Sequence, residues 1–67
     1  MNRVCSERKL KGWTQQELAK QLSVDKSTVV RWEGGGNIPQ DKIIDMRSLF
    51  GCDIDWLLGV SAERLTV

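Results

Sequence analysis

Apolar residues recur every three or four positions through the middle of this chain, which is the spacing of a helix with one buried face. The pattern begins at Thr14, and Glu17 follows three positions later. Thr and Glu at this spacing predict a capping box, in which each side chain accepts a backbone N–H at the start of a helix. Leu18 and Leu22 then share one face of a helix predicted over residues 15–22.

A second amphipathic helix, predicted over residues 26–33, follows after a tight turn at Ser23. Asp25 is expected to cap it, because a carboxylate can accept the free N–H groups of the first turn. Val29 and Trp32 form its buried face. Two short helices joined by a tight turn make a helix-turn-helix, whose second helix can enter the major groove of DNA.

Three further helices are predicted around this pair, each followed by a glycine that can end it. Two of them cover about residues 2–11 and 41–50, and the third begins after Asp53 as its N-cap and is ended by Gly59. The predicted fold class is therefore all-α, a compact five-helix domain with the helix-turn-helix at helices 2 and 3. Residues 1–59 are expected to form this domain, and residues 60–67 a C-terminal tail.

Apolar positions in the outer helices indicate how they pack. Leu10 is the best apolar anchor of helix 1. Ile54, Leu57 and Leu58 form the inward stripe of helix 5. Trp13, just before the helix-turn-helix, is expected to fill the core, and the alternative is a surface on which bases stack.

Composition agrees with one small soluble domain, since 40% of the 67 residues are hydrophobic and 28% are charged. The net charge of +1 is unevenly distributed. Residues 1–36 carry seven basic and four acidic side chains, a net charge of +3, whereas residues 37–67 carry three and five, a net charge of −2. This asymmetry favours a nucleic-acid-binding face in the first half, although scattered solvated charge is the alternative.

Little in the sequence indicates a membrane protein or a metal-binding protein. No apolar run approaches the ~20 residues of a membrane span, and no signal-peptide pattern opens the chain, so a cytoplasmic location is expected. Cys5 and Cys52 match no zinc spacing, and the chain has no His. We therefore expect reduced thiols, with Cys52 in the core, and no metal, cofactor or small-molecule ligand.

Enzymatic function is not expected either. Asp53 and Asp55 are close carboxylates, but a helix cap and a first-turn acid explain them. The three successive glycines at residues 34–36 lack the Lys-Ser/Thr that follows a phosphate-binding loop. They are interpreted as the end of helix 3.

A family resemblance is carried by four stretches of the chain, residues 13–19, 27–33, 37–44 and 50–59. The family is that of the phage repressor and Cro-like (XRE-type) helix-turn-helix proteins. Residues 13–19, WTQQELA, resemble its "LTQEELA" start, and residues 27–33, STVVRWE, resemble its "STISRWE" recognition helix. Residues 37–44 and 50–59 resemble its "NIPSEKLI" and "FGVSTDYLLG" stretches. The resemblance covers about residues 4–59. It implies a sequence-specific DNA-binding transcriptional regulator, a phage- or plasmid-type repressor that binds a palindromic operator as a homodimer.

Base contacts are expected from the outward face of helix 3, opposite Val29 and Trp32. Arg or Lys can bond to guanine O6 and N7, Ser can bond several bases, and Val can contact the thymine methyl. The resemblance adds a Thr to this set, and a Gln at the start of helix 2 that binds a phosphate and braces the first side chain of helix 3. The candidate residues are Gln15, Lys26, Ser27, Thr28, Val30 and Arg31. For Lys26 and Arg31 the alternative is a solvated helix face, and the exposure of Val30 could be incidental.

Phosphate contacts are expected beside the N-terminus of helix 4, whose free N–H groups can donate to phosphate oxygens. Asn37, Gln40 and Lys42 are the side chains predicted to join them. The resemblance also implies a partly buried salt bridge between Arg8 of helix 1 and Glu33, which would orient helix 3.

Several residues depart from the family pattern, and among them Ser23 stands in the turn where Gly is usual. Glu7 stands where an apolar residue of helix 1 is common, and Arg47 stands where a small Ala is common.

A homodimer interface is expected at the C-terminal end. Trp56 lies off the inward stripe of helix 5, which predicts an exposed indole that needs a partner. We expect Trp56, Leu57 and Val60 to contribute to this interface. Alternatively, Trp56 folds back on the tail near Val60 or Leu65. An antitoxin or adaptor that uses Trp56, Val60, Leu65 and Val67 to bind another protein is the alternative function.

Overall fold

The computed structural model describes residues 2–66. Five helices follow one another, which confirms the predicted all-α fold: α1 Val4–Leu10, α2 Gln15–Leu22, α3 Lys26–Glu33, α4 Gln40–Phe50 and α5 Ile54–Leu57. The outer helices differ slightly from prediction, since α1 and α5 are shorter and α4 begins one residue earlier. Within the described range, an isolated antiparallel bridge joins Cys52 to Thr66. Every helix within residues 2–66 is too short or too polar to span a bilayer.

The start of α2 and the turn after it have the predicted local geometry. Thr14 Oγ1 accepts the N–H of Glu17 at 3.1 Å, and Glu17 Oε1 accepts the N–H of Thr14 at 2.8 Å. Ser23 takes the left-handed conformation, with φ of 57°, which few residues other than glycine adopt. Asp25 has the extended backbone of an N-cap, but its side chain makes no capping bond, so that part of the prediction is wrong. Its carboxylate is exposed, and water can solvate it instead.

The core forms where the helices converge. Its buried members are Val4, Leu18, Ala19, Leu22, Val29, Trp32, Ile43, Met46, Phe50, Cys52 and Leu57. Val29 and Trp32 contribute the inward face of α3, as predicted, and full burial of a side chain such as Val29 stabilises the fold by about 1.5–3 kcal/mol. Trp13 packs against this core, with its ring centroid 6.2 Å from that of Phe50, which favours the core-filling interpretation.

Helix α1 packs through a different face from the one predicted. Leu10 is 75% exposed, so its assignment as the apolar anchor is wrong. Val4, Glu7 and Arg8 are the buried residues of this helix. These three positions are spaced i, i+3 and i+4 and therefore share one face, whereas Leu10 lies more than half a turn from Arg8.

The end of the chain runs back along the domain. Leu58 is 41% exposed because α5 ends before it, so it does not belong to the predicted inward stripe. The N–H groups of Val60 and Ser61 donate to Asp55 O. Leu65 is bound at both backbone groups, since its O accepts the N–H of Asp53 at 3.0 Å and its N–H donates to Asp53 Oδ1 at 3.2 Å. The division into residues 1–59 and 60–67 stays a prediction.

Candidate nucleic-acid interface

The outward face of α3 presents a continuous set of polar and methyl-bearing side chains. Lys26, Ser27, Val30 and Arg31 are exposed, and Thr28 is half-buried. They face away from the core because successive residues of a helix are about 100° apart and Val29 and Trp32 point inward. The face thus combines two cations, hydroxyl groups and a branched apolar side chain. These are the groups that match the edges of base pairs in a major groove.

A buried ion pair ties the end of α3 to α1. Arg8 Nε donates to Glu33 Oε2 at 2.7 Å, and Arg8 Nη2 donates to Glu33 Oε1 at 3.2 Å. The two side chains are only 11% and 8% exposed. Arg8 Nη1 also donates to Trp13 O at 2.8 Å, which ties the same guanidinium to the residue before α2. Planar two-point pairing of this kind fixes orientation as well as distance.

Gln15 completes this ion pair from the start of α2. Its Nε2 donates to Glu33 Oε1 at 3.0 Å, so the side chain braces the last residue of α3. The resemblance had implied a brace on the first residue of the helix instead. Burial alone would raise the pKa of Glu33, but the hydrogen bonds from Arg8 and Gln15 hold it below its ordinary value. Glu33 is therefore a carboxylate at neutral pH.

The N-terminus of α4 places two predicted phosphate-binding side chains at the surface. Asn37 and Gln40 are both exposed. The N–H groups of Lys42 and Ile43 donate to Pro39 O, within the first turn. The two earlier N–H groups, those of Gln40 and Asp41, have no carbonyl partner within the helix, and such groups are suited to an anion.

Lys42 has a different partner from the one predicted. Its side chain is half-buried, and Nζ donates to Leu22 O at 2.8 Å. An ammonium group at the C-terminus of α2 is favourable because carbonyl groups there carry partial negative charge. Lys42 thus fastens α4 to α2, and its contact with a DNA phosphate stays a prediction. No local pattern indicates this contact, since it joins positions that are 20 residues apart.

A second buried carboxylate lies on α1 beside the first pair. Glu7 is 2% exposed, and its partners come from the other end of the chain. Arg64 donates to both carboxylate oxygens, from Nε at 3.0 Å and from Nη2 at 2.9 Å. Trp56 Nε1 donates to Glu7 Oε2 at 2.9 Å. The hydrogen bond from Arg64 is the main reason that the pKa of Glu7 is lowered, and burial opposes it.

Trp56 is consequently not the exposed indole that the sequence predicted. It is half-buried, and the Arg3 guanidinium carbon lies 3.8 Å from the centroid of its ring. Arg3 also donates to the carbonyl oxygens of Trp56 and Ser61. The indole therefore packs against helix α1 and the residue before it.

The predicted dimer surface changes with this packing. Leu57 is fully buried in the core, so its side chain cannot face a partner and that assignment is wrong. Val60 is 77% exposed, and Leu58 and Leu65 are exposed beside it in the chain. Val67 lies outside the described residues.

Neither thiol forms a disulfide within the described range. Cys5 and Cys52 are free, and Cys52 lies in the core as predicted. Burial raises the pKa of the Cys52 thiol. Residues 2–66 contain no group of three or more Cys, Asp or Glu side chains arranged to hold a metal ion.

Comparison with known proteins assigns the family. A family model described as helix-turn-helix, of the XRE type, matches residues 6–57, which is more than half of the chain. No curated protein and no solved structure matches the chain. The matched residues include all of α2, α3 and α4, and the members of this family are DNA-binding regulators. The chain therefore belongs to the XRE-type helix-turn-helix family and is a DNA-binding regulator.

Proposed function

We propose that this protein is a phage- or plasmid-type repressor that binds a palindromic operator as a homodimer and blocks a promoter. The single observation that supports base reading best is the outward face of α3. It exposes Lys26, Ser27, Val30 and Arg31 on a helix whose other face is locked into the core. A reading helix must be held rigidly, because a bond to a base edge depends on both distance and direction.

Arg31 is the side chain that we propose to carry most of the discrimination. It is exposed in the last turn of α3, and a guanidinium can bond to guanine O6 and N7 at once. Lys26 and Ser27 lie at the start of the helix, where recognition helices commonly touch base edges. Gln15, Asn37 and Gln40 are proposed to contact phosphates on either side. Such contacts fix the register on the duplex without reading its sequence.

The homodimer is proposed to form through the surface that carries Leu58, Val60 and Leu65. These are the exposed large apolar side chains at the C-terminal end of the domain. A two-fold axis there would set two copies of α3 about 34 Å apart, one turn of DNA. The interface is expected to be weak in the free protein and stronger on DNA, where both copies bind one duplex.

Binding to duplex DNA at several salt concentrations tests the proposal. We expect affinity to fall steeply with salt, because phosphate contacts release counterions. Arg31→Ala should cost about 1–3 kcal/mol of binding free energy on the preferred sequence. Arg47→Ala is the matched control, since Arg47 is also exposed and also lies in the last turn of its helix, and it should cost much less.

The alternative function, an antitoxin or adaptor that binds another protein, predicts a different result. Its surface would be the exposed C-terminal residues, and DNA affinity would not depend on Arg31. Equal effects of Arg31→Ala and Arg47→Ala, or no salt-dependent binding at all, would contradict the repressor proposal.

A further inference from the structure

The three glycines after α3 are in different situations. Gly34 has φ of −82°, and a Cβ added there would meet the carbonyl oxygens of Val30 and Arg31 at an ordinary 3.5 Å. Gly35 has φ of 102°, and a Cβ there would meet nothing within 4 Å. The backbone conformation therefore requires a glycine at position 35. At position 34 neither the backbone conformation nor the available space requires one. Gly36 is a third case.

Gly36 is placed against Arg31 by the way the helix ends. Gly35 N–H donates to Trp32 O at 3.0 Å, and Gly36 N–H donates to Arg31 O at 2.9 Å. These two bonds form a Schellman motif, with the left-handed residue at Gly35. In such a motif the residue two places after the cap commonly packs against the side chain three places before it. Here these two residues are Gly36 and Arg31.

The contact at Gly36 leaves no room for a side chain. A Cβ added there would lie 2.9 Å from Arg31 Cγ and 2.9 Å from Arg31 O. Both distances are shorter than van der Waals contact allows, so one of the groups would have to move. The φ of Gly36 lies outside the left-handed region, so the backbone itself would accept another residue. The absence of a side chain at position 36 therefore serves the contact with Arg31.

We propose that Gly36 is a positioning residue for base recognition, because it lets the stem of Arg31 lie against the loop backbone. The inference rests on the proposed function, in which Arg31 reads a base. The position of Cγ decides the direction in which the guanidinium leaves the helix. A two-point bond to guanine requires that direction to be correct. A Cβ at position 36 would push Cγ aside and move the guanidinium away from its base.

Discrimination between bases in the full chain tests the inference. The base pair read by Arg31 is first identified as the position at which Arg31→Ala loses discrimination, by about 5- to 150-fold for a good two-point contact. Gly36→Ala should lower discrimination at that same base pair by about threefold or more and leave other positions unchanged. Gly34→Ala is the matched control, since it adds the same methyl group in ordinary contact with its neighbours. It should leave discrimination unchanged at that base pair and at the other positions.

Combining the substitutions distinguishes failure of the proposed function from failure of the inference about Gly36. Added to Arg31→Ala, Gly36→Ala should cause no further loss of discrimination. If Arg31→Ala itself changes no base preference, the proposed function fails. If Arg31→Ala acts but Gly36→Ala behaves like Gly34→Ala, this inference alone is overturned.

A measurement on the unsubstituted protein covers the case in which Gly36→Ala does not fold. Carbon relaxation by NMR should show that Arg31 Cγ is more restricted than Cγ of Arg47, which is exposed on α4. Equal mobility of the two carbons in the free protein would also overturn the inference.

Discussion

Glu7 and Arg8 are neighbours on α1 and both are buried, yet they hold two different parts of the molecule. Arg8 pairs with Glu33 and fixes the end of α3. Glu7 binds Arg64 and Trp56 and fixes the C-terminal segment. A buried charge is costly unless it is paired and hydrogen-bonded, and both residues meet that requirement. One turn of α1 therefore connects the proposed DNA-binding face to the end of the chain.

The two pairs differ in how well they are protected from water. Arg8 and Glu33 are 11% and 8% exposed, so both charges depend on each other. Glu7 is 3% exposed at its side chain, but Arg64 is 34% exposed and can still be hydrated on its own. Loss of either partner should therefore be equally harmful in the first pair and unequally harmful in the second.

Breaking the first pair should have the largest effect. We expect Arg8→Ala and Glu33→Ala each to lower the free energy of unfolding by about 3–5 kcal/mol, because each leaves a buried charge without its counter-ion. Urea denaturation measures both. The double substitution should cost much less than the sum of the two. Additive losses would show that the two side chains act independently and contradict the account of the pair.

Breaking the second pair should give a smaller and asymmetric effect. Arg64→Ala leaves a buried carboxylate with Trp56 as its remaining donor, and should cost about 2–3 kcal/mol. Glu7→Gln keeps an acceptor for Trp56 and leaves Arg64 to water, so about 1 kcal/mol is expected. The same urea measurement compares them. A larger loss for Glu7→Gln than for Arg64→Ala would reverse the predicted order.

The smallest expected effect is a difference in how much stability Glu7→Gln and the unsubstituted protein lose at acid pH. The pKa values of Glu7 and Glu33 are lowered from 4.5, as is that of Glu17 in its capping box. The unfolded chain therefore binds protons first as the pH falls, and stability that is present above about pH 4.5 is lost on further acidification. Between neutral pH and about pH 3, Glu7→Gln should lose less stability than the unsubstituted protein. Equal losses would mean that the ionisation of Glu7 contributes nothing to folding.

The helix-turn-helix could be predicted because its determinants are local. The capping box, the turn at Ser23 and the buried positions Val29 and Trp32 all lie within one stretch of sequence, and the structure has each of them. Helical spacing then decides which residues of α3 face outward. No long-range information is needed for either step.

The remaining contacts could not be predicted because they join distant positions. Glu7 looked like a departure from the family pattern, and its partner is 57 residues away. Trp56 looked exposed for the same reason, since Arg3 and Glu7 cover it from the opposite end of the chain. Spacing along a helix shows which face a residue occupies, but the residue that meets that face depends on the tertiary fold. Arg47 is accommodated simply by its exposure to solvent.

Selection of bound sites from a random DNA pool would measure whether the outward face of α3 reads DNA sequence. We expect enrichment of a two-fold symmetric sequence whose half-sites are about 10–10.5 base pairs apart. A parallel selection with Arg31→Ala should lose the preference at one base pair in each half-site and keep it elsewhere. No enriched sequence, or an identical sequence selected by Arg31→Ala, would contradict the claim.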